Sequence, residues 1–154
     1  MEIEIQQAGT ADSEAILTHM RSFYAEDGYL FDEVRTRTLL DRFLEDPTLG
    51  RLWVFQAGEE IVGYFVLALG FSFEFGGRDG FLDELYVAPA HRGRGLGARA
   101  LAILEEACRE LGVSALHLEV ERRKTDTQRL YRRSGYEDHD RYLMTKRIGP
   151  TAAG

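Results

Sequence analysis

The chain has 154 residues, 44% of them hydrophobic, and a formal net charge of −7. That length supports one domain with a sizeable core, and the acidic balance excludes nucleic-acid binding through a general basic face. A single cysteine, Cys108, excludes an internal disulfide and a cysteine-based zinc site, and its place in an apolar helical stripe predicts packing.

Glu2 to Gln7 alternates Ile3 and Ile5 with polar neighbours, the period of a half-buried strand. Thr10-Ala-Asp-Ser13 offers helix caps ahead of Ile16, Leu17, Met20, Phe23 and Tyr24, and Gly28 ends that helix. A second helical period runs from Phe31 to Glu45 and stops at Asp46-Pro47. Leu52 to Ala57 and Ile61 to Phe75 predict two strands joined at Gly58-Glu59-Glu60, with Phe71, Phe73 and Phe75 on one face as core. The longest apolar stretch, Ile61 to Leu69, is too short to cross a bilayer and is broken by Gly63, and Met1-Glu2-Ile3-Glu4 lacks a basic leader. A soluble, cytoplasmic protein with no membrane partner is expected.

Phe81 to Val87 predicts the next strand, with Leu82, Glu84 and Tyr86 on one face and Phe81, Asp83, Leu85 and Val87 on the other unless a bulge resets the count. After it comes His91-Arg-Gly-Arg-Gly-Leu-Gly-Ala98, and then a helical stripe through Leu96, Ala100, Ile103, Leu104, Ala107 and Leu111, closed by Gly112. Glycines at the start of a helix leave unpaired N–H groups accessible, so the junction is a candidate anion cradle. Arg92 and Arg94 add guanidinium donors suited to phosphate oxygens. Leu116, Leu118 and Val120 alternate with His117 and Glu119 in a further strand, where the histidine is expected to be a satisfied structural group. Thr125-Asp-Thr-Gln128 has capping-box spacing for a short helix ending at Gly135, with Tyr131 facing inward. Tyr136 to Asp140 and Arg141 to Arg147 predict a final hairpin. One domain over 1–148 and a flexible tail over 149–154 are expected.

Three phosphate loops compete for the glycine run. The P-loop needs Gly-Lys-Ser/Thr, which is missing. The dinucleotide fingerprint is formally met by Gly93, Gly95 and Ala98, with Glu119 or Glu121 at a ribose distance, but only about one further βα unit fits into the remaining chain, where a doubly wound domain needs several. Arg92-x-x-Gly95-x-Gly97, preceded by Leu85-Tyr86-Val87-x-Pro89 and followed by Leu130-Tyr131-x-x-x-Gly135-Tyr136, resembles the acetyl-coenzyme A signature of the GNAT superfamily of N-acetyltransferases. The resemblance covers Phe81 to Tyr136 well and the first eighty residues in outline.

The resemblance implies an α/β (α+β) fold: a central, mostly antiparallel mixed sheet with a splayed parallel pair, flanked by helices. It implies acetyl-coenzyme A as co-substrate and no metal. Leu85, Tyr86 and Val87 would bind it through backbone atoms, and Arg92, Gly93, Arg94, Gly95, Leu96, Gly97 and Ala98 would cradle its pyrophosphate. The family's Asn before the Leu-Tyr block is replaced by Lys124, which is assigned to a phosphate or the pantetheine amide. The basic run Arg122, Arg123, Lys124, Arg129, Arg132 and Arg133 is otherwise open between a solvated face and a cofactor contact. Glu26 to Glu33 would cover the acceptor pocket, with Tyr24, Glu26, Asp27, Tyr29 and Phe31 as substrate residues. There, carboxylates would attract a cationic amine and aromatics would hold its apolar part.

Direct acyl transfer to an amine requires a base, an oxyanion donor and an acid for the departing thiolate. Asp83 or Glu84 is the candidate base if its pKa is raised. Tyr131 is the candidate acid, because a phenol stays protonated at neutral pH. The expected acceptor is a small cationic amine or amino-acid-like metabolite. A protein lysine or N-terminal amine is the alternative, and a non-catalytic acyl-coenzyme A sensor is the reading from another class. The resemblance leaves a homodimer open.

Overall fold

The computed structural model describes residues 2–149. Five strands form one mixed sheet in chain order: β1 (Ile3–Gln7), β2 (Gly50–Ala57), β3 (Glu60–Ser72), β4 (Gly77–Val87) and β5 (Ala115–Leu118). The first four pair antiparallel, whereas β5 runs parallel to β4 over Asp79–Leu82 only. Beyond Leu82 and Leu118 no pairing joins them, so β4 continues to Val87 paired with β3 only and the sheet splits on its β5 side.

Each face of the sheet is covered by helices. On one face α3 (Leu96–Leu111) lays Leu96, Ala100, Leu101, Leu104 and Ala107 against Phe55, Phe65, Leu67 and Leu82, with Cys108 in the same cluster. On the other, α1 (Ser13–Asp27) and α2 (Glu33–Glu45) bury Ile16, Leu17, Met20 and Leu40 against Leu52, Val54, Tyr64, Val66 and Tyr86. Burial on both faces explains the near-continuous apolar runs of β2 and β3, and each fully buried Leu or Phe contributes about 1.5–3 kcal/mol. Gly28 and Gly112 end α1 and α3 at φ of 75° and 70°, the left-handed cap conformation expected of them.

The bulge that could reset the face count is present, and it overturns the simple alternation of β4. Leu67 faces Leu82 and Val66 faces Glu84, so Asp83 is an extra residue. Leu82 therefore joins the α3 side with Leu85 and Val87, while Glu84 and Tyr86 point towards α1 and α2.

Three further expectations are corrected. β3 ends at Ser72, and Phe71 and Phe73 are 65% and 93% exposed, because the tip of the β3–β4 hairpin runs beyond both helical layers. α4 (Thr125–Arg133) is capped by Lys124 without a side-chain cap bond; Gln128 instead donates to the carbonyls of Glu121 and Arg122. Residues 136–147 form no hairpin: Asp140 adopts φ 52°, Arg141 grips Glu74 through two bonds of 2.9 and 2.6 Å, and no backbone bond joins the segment to β5 among the described residues. Of the expected tail, residues 150–154 lie outside the described residues. No helix among the described residues is long and apolar enough to cross a membrane.

Candidate active site

The split in the sheet opens a cleft of about 1090 Å³, walled by β4 from Leu82 to Val87 on one side and by Glu119 to Glu121 with α4 on the other. Its floor at one end is the start of α3. Gly93 and Gly95 hold φ of 78° and 76°, a conformation that disfavours other residues, and a Cβ on either would meet nothing within 4 Å. Their role is therefore to shape the loop and leave it open to the cleft. α3 has no side-chain cap, so the N–H groups of its first turn remain available to an anion, and Gly95, Leu96, Gly97 and Ala98 all line the cleft. Gly97 has a different reason: a Cβ there would come within 2.9 Å of Leu130 on α4.

The bulge organises the opposite end. Glu84 accepts hydrogen bonds from Tyr24 Oη at 2.5 Å and Tyr64 Oη at 2.7 Å, one on each carboxylate oxygen. Burial pushes its pKa up, the two tyrosine bonds oppose that, and the neighbouring Asp83 adds to the rise. Asp83 protrudes into the cleft, where the walls displace enough water to raise its pKa as well. Tyr24 and Tyr64 are raised by burial first and then by the charge of Glu84, so both remain donors.

Tyr131 reaches the cleft from α4; it is 8% exposed and its ring meets Tyr136 edge-on at 5.9 Å. Burial raises its pKa, which keeps the phenol protonated. Its hydroxyl takes no hydrogen bond among the described residues, whereas the hydroxyl of Tyr136 is buried without a partner.

Three contacts tie the end of α1 and the loop after it to both banks of the cleft. Arg92 forks onto Glu26 at 2.9 and 2.7 Å while its Nε donates to the Val87 carbonyl at 2.7 Å. Its hydrogen bond holds the Glu26 carboxyl below the usual range. Lys124 Nζ donates to both oxygens of Asp27 at 2.9 and 3.1 Å, and Tyr29 Oη donates to Glu121 at 2.6 Å. Of the three cations assigned to the cofactor from the sequence, Arg92 and Lys124 thus pair with carboxylates.

Of the residues singled out in the sequence, Asp83 to Val87, Arg92, Gly93, Gly95 to Ala98, Lys124, Tyr131, Glu26, Asp27 and Tyr29 line this one cleft. Arg94 is exposed outside the lining, and Tyr24 and Phe31 stand behind it, with Phe31 edge-on to Tyr24 at 5.4 Å. Tyr64 was missed: it reaches Glu84 only through the register of β3 on β4, which no local motif announces. Phe23, Glu119, Glu121, Thr127 and Leu130 were also missed as lining residues. Alternation along β5 would have placed Glu119 on the same bank had the splay been known. His117 is the structural group expected, 3.3 Å from Asp79 and packed on Phe75 at 4.5 Å.

A split mixed sheet with a glycine-shaped helix start at one end of the cleft and paired carboxylates at the other is an arrangement able to take an anionic group at one end and a polar one at the other. Residues 15–136 match the acetyltransferase (GNAT) family, and the chain belongs to it. It is similar to an uncharacterized N-acetyltransferase, YycN of Bacillus subtilis, at 28% identity over 96% of this chain and all of that protein. It is also 28% identical to the aminoalkylphosphonate N-acetyltransferase of Salmonella typhimurium, across 90% of this chain and 88% of that protein. Among solved structures, an integron cassette protein from the mobile metagenome of Cole Harbour Salt Marsh superposes with a TM-score of 0.85 and 36% identity, over 96% of this chain and 92% of that one. The chain is an N-acetyltransferase by class.

Proposed function

We propose that the protein transfers the acetyl group of acetyl-coenzyme A to the primary amine of a small cationic molecule by direct attack. The observation that carries this reading is the β4 bulge, which sets Asp83 and Glu84 side by side in a cleft whose other end is a helix start open to phosphate. Cationic amines are favoured by the carboxylates of Asp83 and Glu119, which line the cleft without an ion-pair partner among the described residues. The relative named for an aminoalkylphosphonate supports an acceptor of small-molecule size.

In this reading the N–H groups of the first α3 turn, with Gly93 and Gly95, hold the pyrophosphate of the donor, and the edge of Leu85 to Val87 that faces away from β3 runs beside its pantetheine arm. Glu84, fixed by Tyr24 and Tyr64, takes the proton of the attacking ammonium directly or through one water. The amine forms its bond to the carbonyl carbon, and the C–S bond breaks. Tyr131 then gives its proton to the departing thiolate, a step uphill by about 2 kcal/mol on the reference pKa values of about 8.5 and 10, and the phenolate is restored by the second proton that the nitrogen sheds as the amide forms.

Release of free thiol from acetyl-coenzyme A across a panel of monoamines, diamines, aminoalkylphosphonates, amino acids and lysine peptides tests the proposal. Release with small cationic amines is expected. Release with peptides alone would move the acceptor to protein, and binding without release for every acceptor would favour an acyl-coenzyme A sensor.

A further inference from the structure

We infer that Arg133, at the end of α4, takes the 3′-phosphate of the donor and so separates coenzyme A from its 3′-dephospho form. The inference rests on acetyl-coenzyme A being the donor.

The basic run from Arg122 to Arg133 is divided by its ion pairs. Arg123 holds Glu121 at 2.6 Å, Lys124 holds Asp27 at 2.9 Å, Arg129 holds Asp126 at 2.6 Å, and Arg132 stands 3.9 Å from Asp138. Arg122 and Arg133 make no ion pair among the described residues. Their places differ: Arg133 lines the cleft and Arg122 does not.

The packing of α4 says where along the cleft that cation lies. Leu130 sits against the first turn of α3, so close that a Cβ on Gly97 would come within 2.9 Å of it. Arg133 follows three residues later, about one helical turn, and so leaves α4 on the side of Leu130, beside the helix start that is open to phosphate.

Charge completes the argument. A helix start offers an anion N–H groups and about half a positive charge, whereas a phosphate monoester brings about two negative charges at neutral pH. A second phosphate beside the cradle therefore needs a cation of its own. The other arginine and lysine lining the cleft are committed, Arg92 to Glu26 and Lys124 to Asp27, and each would have to give up a carboxylate to serve. Arg133 has none to give up, and its guanidinium can fork onto two oxygens of one phosphate. Arg94, the remaining candidate from the glycine loop, stands outside the lining.

Titration calorimetry with coenzyme A and with 3′-dephospho-coenzyme A tests this. The wild type is expected to bind coenzyme A about tenfold more tightly at low salt, with the ratio shrinking as salt is added. Arg133→Gln should bring the ratio close to one and leave the affinity for the dephospho form unchanged. The side chain is exposed, so Tm should hold. Arg129→Gln, in the same helix but paired with Asp126, should keep the full ratio. Equal affinities in the wild type, a ratio that survives Arg133→Gln, or an equal loss for both ligands in that variant would each overturn the assignment while leaving acetyl-coenzyme A as donor. Failure of the wild type to bind either ligand would overturn the donor itself, and the assignment with it.

Discussion

In the proposed reaction the base is Glu84, whose surroundings oppose one another: burial and Asp83 favour its neutral form, and Tyr24 and Tyr64 favour its charge. The net rise predicts an acid limb in kcat/KM that lies above the ordinary carboxylate range, with activity increasing as pH rises through it. In Glu84→Gln that limb should vanish and turnover should fall about a hundredfold; a limb that persists unmoved would place the base elsewhere. The same shift has a stability consequence of definite sign. The folded state holds this proton more tightly than the unfolded chain, so the cost of burying the charge is absent below the ordinary glutamate pKa and grows as pH rises through the folded value. Urea unfolding of wild type against Glu84→Gln should therefore show the wild type losing ground across that window. Tyr131→Phe acts on the other proton: turnover falls about a hundredfold while calorimetric affinity for acetyl-coenzyme A holds, since the ring and its contact with Tyr136 remain.

At the level of elements, β4 positions the site, and it depends on a residue of the neighbouring strand, β3. A Cβ on Gly63 would lie 2.3 Å from the Tyr86 carbonyl oxygen and 3.0 Å from the Val87 Cα, backbone atoms that yield only if β4 moves. Gly63→Ala should destabilise the fold by about 2 kcal/mol, seen as a lower Tm, and should weaken acetyl-coenzyme A binding because the displaced segment is the wall of the cleft. An unchanged Tm would mean that β4 has slack there. This dependence also marks where the sequence stops being legible. Strand and helix positions, the glycine loop and the inward Tyr131 follow from periodicity and caps, which are local. The partnership of Tyr64 with Glu84, and of Asp83 with Glu84 in one cleft, follows from register and a bulge, which belong to two strands at once. The absent C-terminal hairpin has the same cause in reverse: its alternation is visible, but a strand needs an edge to pair with, and no backbone bond joins this segment to β5 among the described residues.

Across the whole molecule, the end of α1 spans the split sheet and fastens to both banks, through Glu26 to Arg92 on the cradle side and through Asp27 and Tyr29 to Lys124 and Glu121 on the α4 side. The Asp27–Lys124 pair is the one of these with a largely buried carboxylate: the Asp27 side chain is 9% exposed, against 44% for Glu26. Lys124→Met leaves that carboxylate without its cation, which should lower stability by roughly 1–2 kcal/mol, less than a fully buried pair because Lys124 is itself partly exposed. If the pair also holds the two banks at their working separation, the KM values for both acetyl-coenzyme A and the amine should rise together. Stability and closure can be separated by a second change. Asp27→Asn in the Lys124→Met background removes the stranded charge, so most of the lost Tm should return. The raised KM values should not, because no link crosses the cleft at that point. Recovery of both would reduce the pair to a local stabilising contact, whereas recovery of Tm alone would mean that the three bridges set the width of the cleft in which donor and acceptor meet.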